Sequence, residues 1–424
     1  QKEALEKVQK KNDKELKKSG LKDASSSASK SPKLTEHEQL LAEISAIQAV
    51  GLPLGFDNAH DFSEGLAAVS YRGKWGFVDT TGKFVIPPIY LSNSDKQGKH
   101  FRFSEGLVRI GSSYIGFMDK EGKEVVAQKF NNASGWDDGV GFSEGLAMIT
   151  DGWKSDGNKG YIDKTGKKII PGRYDIAKDF SEGMAAVGKR GLSENAYGYI
   201  DKSGKMVIAQ QFAKANSFSE GLAAVHNGKG WGFIDKTGKE LIPCIYESCT
   251  SNSEADELKF SEGMAAVCRN KKIGYINATG DEVVPFIYDA AQHFSEGLAA
   301  VKTGKKWGFI DKTGKEIIAP QYDFVRSFSE GLAVVGVRVG SEWKYGYINK
   351  NGAFAIDLFP CKLAYSFYNG RALIKGVSRS VPKGDEGIKA FAVAKMSGTE
   401  YKGEYEDVLL KAIFIDKKGI EIIR

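Results

Sequence analysis

The chain has little of what metal binding or nucleophilic catalysis draws on. Its 424 residues include five histidines and four cysteines. Cys244, Cys249, Cys268 and Cys361 form no CxxC pair, and His37, His60, His100, His226 and His293 share no ligand spacing. No metal site is therefore expected. GxSxG, HExxH and phosphate-loop motifs are missing, and no cofactor is expected. No apolar run reaches the about 18 residues of a membrane-spanning helix, and no signal peptide is visible. A first residue of Gln in place of Met is what processing or trimming leaves. Cys268 ends an apolar run (Met264-Ala-Ala-Val-Cys268) and reads as a small core residue. Cys244 and Cys249 are close enough to bridge in an oxidising compartment, or they stay as two free thiols.

A charge excess on the body is missing too. The formal charge is +6, but residues 1–34 hold ten Lys against five Asp and Glu. What remains is near neutral with both signs interspersed, which is not the surface of a nucleic-acid binder. Proline is sparse, ten against fifty glycines. With many short apolar runs, that points to an all-β chain with tight turns.

What the chain has is repetition. Phe-Ser-Glu-Gly starts at Phe62, Phe103, Phe142, Phe180, Phe218, Phe260, Phe294 and Phe328, and a degraded copy, Phe-Tyr-Asn-Gly, starts at Phe367. The steps run from 34 to 42 residues. Periods of this size mean a propeller, a solenoid or an array. One unit near the consensus runs from Tyr288 through Phe294-Ser-Glu-Gly, Leu298-Ala-Ala-Val-Lys302, Lys306-Trp-Gly-Phe-Ile-Asp311 and Lys315-Glu-Ile-Ile318. That is four short extended segments separated by Gly-bearing turns, a β-meander. In Asp-Lys-Thr-Gly-Lys the Asp accepts from backbone amides two residues on and the Gly takes positive φ, giving a bulged hairpin. Gly76, Gly116, Gly160, Gly198, Gly232, Gly274, Gly308 and Gly346 sit inside a strand, which implies close approach of a neighbour. An aromatic ring of the adjacent unit is the expected cover.

Three parts follow. Residues 1–34 form a charged, Ser-rich tether, partly disordered or helical. Residues 35–51 form an amphipathic helix with a Thr35/Glu38 capping box and Leu40, Leu41, Ile44 and Ile47 at helical spacing, packing on the array. Residues 52–424 form nine units, the ninth carrying a large insertion between Lys375 and Lys411.

Lys74-Trp-Gly-Phe-Val-Asp-Thr-Thr-Gly-Lys83 and Lys306-Trp-Gly-Phe-Ile-Asp-Lys-Thr-Gly-Lys315 resemble the WG-repeat (KWG) family of bacterial proteins. The resemblance covers about residues 53–424 and implies an all-β repeat array, often associated with the cell envelope, without implying an activity. Ile115, Lys159, Tyr197, Ile273 and Tyr345 replace the Trp, which makes that position one of packing.

The expected fold is all-β, tandem four-stranded meanders in a β-propeller-like array, with a short N-terminal helical segment. The alternative is an open β-solenoid. A meander puts alternate turns on opposite faces. Ser-Glu-Gly and Asp-Lys-Thr-Gly share one face and are nearly constant in length. The second-to-third turns and the inter-unit steps share the other and vary, as a binding rim on a rigid scaffold would. The rim aromatics Trp136, Trp153, Tyr197, Trp343, Tyr401 and Tyr405 are candidate partner- or ligand-binding residues. The Glu of Ser-Glu-Gly recurs in eight equivalent turns, so it is expected to be solvated or paired with the nearby Lys, not catalytic.

Two functional classes are carried forward. One is a non-catalytic binding or scaffold protein of the bacterial envelope, possible as a lipoprotein tethered through its N-terminus, with a protein partner or a glycan on the rim. The other is an enzyme with a site on the rim or in a central channel.

Overall fold

The structure is a computed structural model that describes residues 39, 44, 56–91, 101–111, 114–131, 141–150, 158–189, 196–248, 258–382 and 405–419, with backbone alone at 91, 378–382 and 405–411. Unit seven shows the repeating element. Its strands are Ala290–Ala291, Leu298–Thr303, Lys306–Asp311 and Glu316–Tyr322, paired in that order and all antiparallel. Units one, four, five and eight form the same four-stranded sheet. Units two and three share one sheet, joined by the pair Asn131↔Thr150.

The apolar second strand explains how the units stack. Leu298 and Ala300 pack toward unit eight, beside Val325, Phe328 and Val335. Ala299 and Val301 pack toward unit six, beside Tyr275 and Val284. Both faces are covered, so four consecutive apolar residues suit the strand and the usual in/out alternation is absent. The fourth strand alternates instead. In Glu316–Tyr322 only Ile318 and Tyr322 are buried, as an outer strand with one packed face requires.

The mid-strand glycines have a different cause from the one expected. A Cβ on Gly308 would lie 2.7 Å from the Pro320 nitrogen, and one on Gly76 would lie 2.6 Å from the Ile86 oxygen. What closes over the glycine is the backbone of the fourth strand of the same unit, at a register shift between Trp307 and Phe309. A ring of the next unit does not cover it. The position one residue earlier is packing, as expected: Trp75, Ile115, Lys159, Trp231, Ile273 and Tyr345 are all buried there.

The array closes on itself, so the open solenoid does not hold. Phe56 bridges Ala412, and the Phe62 and Phe414 rings meet at 4.8 Å. One core cluster contains Val69 of unit one, Val334 of unit eight and Leu373 and Ile413 of unit nine. Ile44, from the segment expected to be a helix, is 2% exposed in that same cluster. The insertion in unit nine is built on extended strands, Ala372–Pro382 and Tyr405–Ile415, paired out to Pro382↔Tyr405.

The cysteines differ from expectation. Cys244 and Cys361 are free thiols, whereas Cys268 is buried and disulfide-bonded. A Cys244–Cys249 bridge is therefore not formed, and Cys268 does more than fill space.

Candidate functional site

The Ser-Glu-Gly face is made of joints between units. In each turn the Glu and the Gly both have positive φ, 52° and 88° at Glu64 and Gly65. Ser63 and Leu66 exchange backbone hydrogen bonds around them. Two consecutive left-handed residues make the turn of a two-residue hairpin, where Asn-Gly is the unstrained choice. A Glu there costs about 1 kcal/mol, and its contacts account for its presence.

Each Glu reaches the following unit. Glu64 accepts the Gly106 N–H at 3.0 Å and pairs with Lys120 at 3.1 Å. The Gly N–H bond recurs for all eight Glu residues, at 2.8–3.0 Å for the nearer oxygen. The Lys pair recurs for all but Glu220, whose partner position holds Ala278. Burial pushes Glu64, Glu144 and Glu262 up, but the Lys and Gly bonds outweigh it and hold them below the usual carboxylate value. The preceding Ser donates its hydroxyl to the Phe carbonyl of the next unit, at 2.5–2.8 Å in all eight copies. The constant face is thus occupied with holding the ring. The sequence expectation of a Glu–Lys pair is met, with the two partners drawn from successive units.

The Asp-x-x-Gly turns behave as expected. Asp311 Oδ1 accepts the Thr313 N–H at 2.9 Å, its hydroxyl at 2.6 Å and the Lys315 N–H at 3.1 Å.

The opposite rim rests on a second set of cross-links that the sequence reading missed. Asp289 accepts the Gly304 N–H of its own unit at 2.7 Å and Lys272 of the preceding unit at 2.6 Å. Asp323 does the same with Arg338 N–H and Lys306. The Lys contacts are the main cause holding both Asp groups below their usual value. The signal was visible as Asp following Tyr at the start of each of these units.

Among the six candidate rim aromatics, Trp136, Trp153 and Tyr401 lie outside the described residues. Tyr405 lies on the unit-nine ribbon, opposite Pro382. Tyr197 is on unit four, packed against the core between units four and five. Trp343 is half-buried on unit eight and stacks on Tyr345 at 5.6 Å. Among the described side chains, Tyr197 and Trp343 lie on separate units, four and eight. The structure builds a strip from Trp343. Tyr345 meets Phe324 edge-on at 5.7 Å, and the Arg326 guanidinium lies 5.5 Å from the Phe324 ring and 4.8 Å from that of Tyr365. Lys375 Nζ lies 5.5 Å from Tyr365 and donates to Asn58 Oδ1 at 2.7 Å. Phe324, Arg326, Tyr365 and Lys375 are all half-buried. Tyr345 is buried beneath this strip, and the Asp61 carboxylate acts on both Tyr365 and Lys375. Among the described residues, no group of His, Cys, Asp and Glu is placed to hold a metal.

Known proteins give the family. The model of the WG containing repeat matches residues 50–75, 75–90, 115–152, 160–192, 197–229, 231–255, 273–307, 307–338 and 345–375. The chain belongs to the WG-repeat family. No curated protein matches its sequence. Among solved structures it is similar to a eukaryotic initiation factor, at 13% identity and TM-score 0.49, over 73% of this chain and 90% of that one. It is also similar to the WD40 β-propeller domain of Doa1, at 12% identity and TM-score 0.28, over 55% of this chain and 86% of that one.

Proposed function

We propose that this WG-repeat ring is a non-catalytic binding scaffold of the bacterial envelope, whose variable rim receives a protein partner. The observation that carries the reading is the division of labour between the two faces. One face keeps its turn lengths and commits its Ser, Glu and Lys side chains to the ring itself. The other stands on rigid Asp-anchored bases and varies in length. Unit eight shows the variation: Leu332–Val339 and Glu342–Asn349 are eight-residue strands, against six in unit seven. The strip from Trp343 to Lys375 lies at that end of units eight and nine and offers half-buried rings to a partner segment carrying planar groups. The disulfide at Cys268 supports an oxidising compartment.

The test is native purification from the envelope fraction after gentle crosslinking, with mass spectrometry of what accompanies the chain. A stoichiometric partner that is lost from Trp343→Ala and kept by Glu262→Gln supports rim binding. A partner kept by the first and lost from the second moves the contact to the constant face and overturns the reading. A chain recovered alone that binds an anionic glycan through Trp343 would make the rim a glycan module instead.

A further inference from the structure

We propose that the ring has one built-in opening point, the junction between units nine and one, and that Lys375 couples this junction to the rim strip. The proposal rests on internal comparison. Eight junctions carry the Ser hydroxyl bond and the Glu-to-Gly bond. At the ninth, the Ser position holds Tyr368, the Glu position holds Asn369 and the Lys position of unit one holds Thr80. All three residues of the joint are replaced together. Asn369 keeps a positive φ of 53°, so the turn is intact. It has returned to Asn-Gly, the pair such a turn prefers when no reach to a neighbour is required.

What holds this junction is different in kind. Arg371, which stands where the other units have Leu or Met, donates Nε–H to the Thr80 carbonyl at 2.8 Å. Lys375 bonds Asn58. A backbone bridge between Phe56 and Ala412 adds to these, and Phe56, Phe62 and Phe414 pack together with Ile44 added from outside the array. The other eight joints would each also give up a Ser hydroxyl bond and a Glu-to-Gly bond on parting. This is also the one junction whose two sides are not consecutive in the chain, so it can part without pulling on a covalent connection. Lys375 sits on both features, bonded to Asn58 across the junction and lying over Tyr365 in the strip. An occupant that draws Lys375 toward the rim releases one of the contacts that close the ring. This coupling rests on the rim reading above, whereas the opening point does not.

Hydrogen–deuterium exchange on the full chain, read by mass spectrometry, tests both. Peptides covering 56–71 and 412–415 should exchange together, at least about tenfold faster than the equivalent 290–303 and 306–311. Arg371→Leu, which restores the residue type of the other units, should speed exchange at 56–71 and 412–415 alone. The triple variant Tyr368→Ser, Asn369→Glu, Thr80→Lys should slow it there. Lys375→Met should speed exchange at 56–71 and at 358–367 together, since it removes the contact with both Asn58 and Tyr365, and an effect confined to one of the two overturns the coupling. Equal exchange at all junctions, or an Arg371→Leu effect spread evenly round the ring, overturns the opening point whether or not a rim partner exists.

Discussion

The ring of Phe414 rests on that of Phe62 with centroids 4.8 Å apart, although the two lie near opposite ends of the chain. The same two positions meet at every other junction, from Phe77 with Phe103 to Tyr347 with Phe367, at 4.8–5.1 Å. The Phe of Phe-Ser-Glu-Gly is therefore the apolar half of a joint whose polar half is the Ser and Glu beside it. The circle of aromatic pairs is complete, and the circle of polar joints stops one short.

Phe414→Ala should cost about 3–5 kcal/mol, as large-to-small changes of buried aromatics do. Phe309→Ala, at an ordinary junction, should cost a similar amount. Urea unfolding followed by fluorescence checks both. A loss below about 1 kcal/mol for Phe414→Ala would mean that the ends do not bear on stability.

Glu262→Gln keeps the strained turn and removes the charge that binds Gly297 and Lys312. With the carboxylate 31% and the ammonium 45% exposed, solvent screens the pair. The expected loss is about 1 kcal/mol, shrinking in high salt. Glu220→Gln lacks the Lys partner and should show a weaker salt dependence. Equal salt responses of the two variants would dissociate the Lys from the joint.

Much of this was legible in the residues. Four segments per unit, the Asp-x-x-Gly hairpins and a shared face for the two constant turns all follow from local turn chemistry, which depends on residues within five positions. The pairing between units was not, because Glu64 and Lys120 are 56 positions apart and periodicity alone does not say which copy meets which. The sequence did hold the clue: unit nine loses its Glu and Ser, and unit one loses its Lys. Strand-interior Gly308 pointed correctly to a close approach, but its cause is a bulge in the fourth strand, which periodicity does not reveal. The rim candidates were chosen as aromatics in loops of varying length. The repeat placed Tyr197 in unit four and Trp343 in unit eight, but such loops carry little repeat information on which side chains come together.

Gly308→Ala should therefore destabilise through backbone collision, by about 1–3 kcal/mol. The neighbour is Pro320 backbone at 2.7 Å, which cannot rotate away as a side chain would. Trimming Phe328 to Leu in the same chain should not rescue it. Rescue, measured by thermal unfolding, would restore the aromatic-cover explanation.

The free thiols should be two and slow. Cys244 and Cys361 are each pushed up to about 12, chiefly by burial, with Glu240 adding to the effect at Cys244. Little thiolate exists at pH 8, so native alkylation should lag behind that of the denatured chain by orders of magnitude. Counting by mass in denaturant without reductant should give two labels, rising to four with reductant. Four without reductant would remove the disulfide and the compartment argument drawn from it.

Acid should open the ring steeply. Glu64, Glu144 and Glu262 are held below 4.5, and Asp163, Asp201, Asp235 and Asp311 below 3.8, the last four chiefly by the Thr or Ser hydroxyl in their own turn. A carboxyl depressed in the fold binds fewer protons there than in the unfolded chain. Its contribution is complete above its unfolded value and is lost as pH falls through the folded one. Stability should accordingly decline slightly below about 6.5, where His226 is held low by burial and then by Lys214, and fall steeply below about 4.5, with a slope of several protons because equivalent carboxyls titrate together. Circular dichroism against pH checks the window. Glu64→Gln and Asp163→Asn together should lower the plateau and flatten the slope, since each variant has already given up what acid would remove. A slope unchanged by both would place the acid-sensitive groups outside these turns.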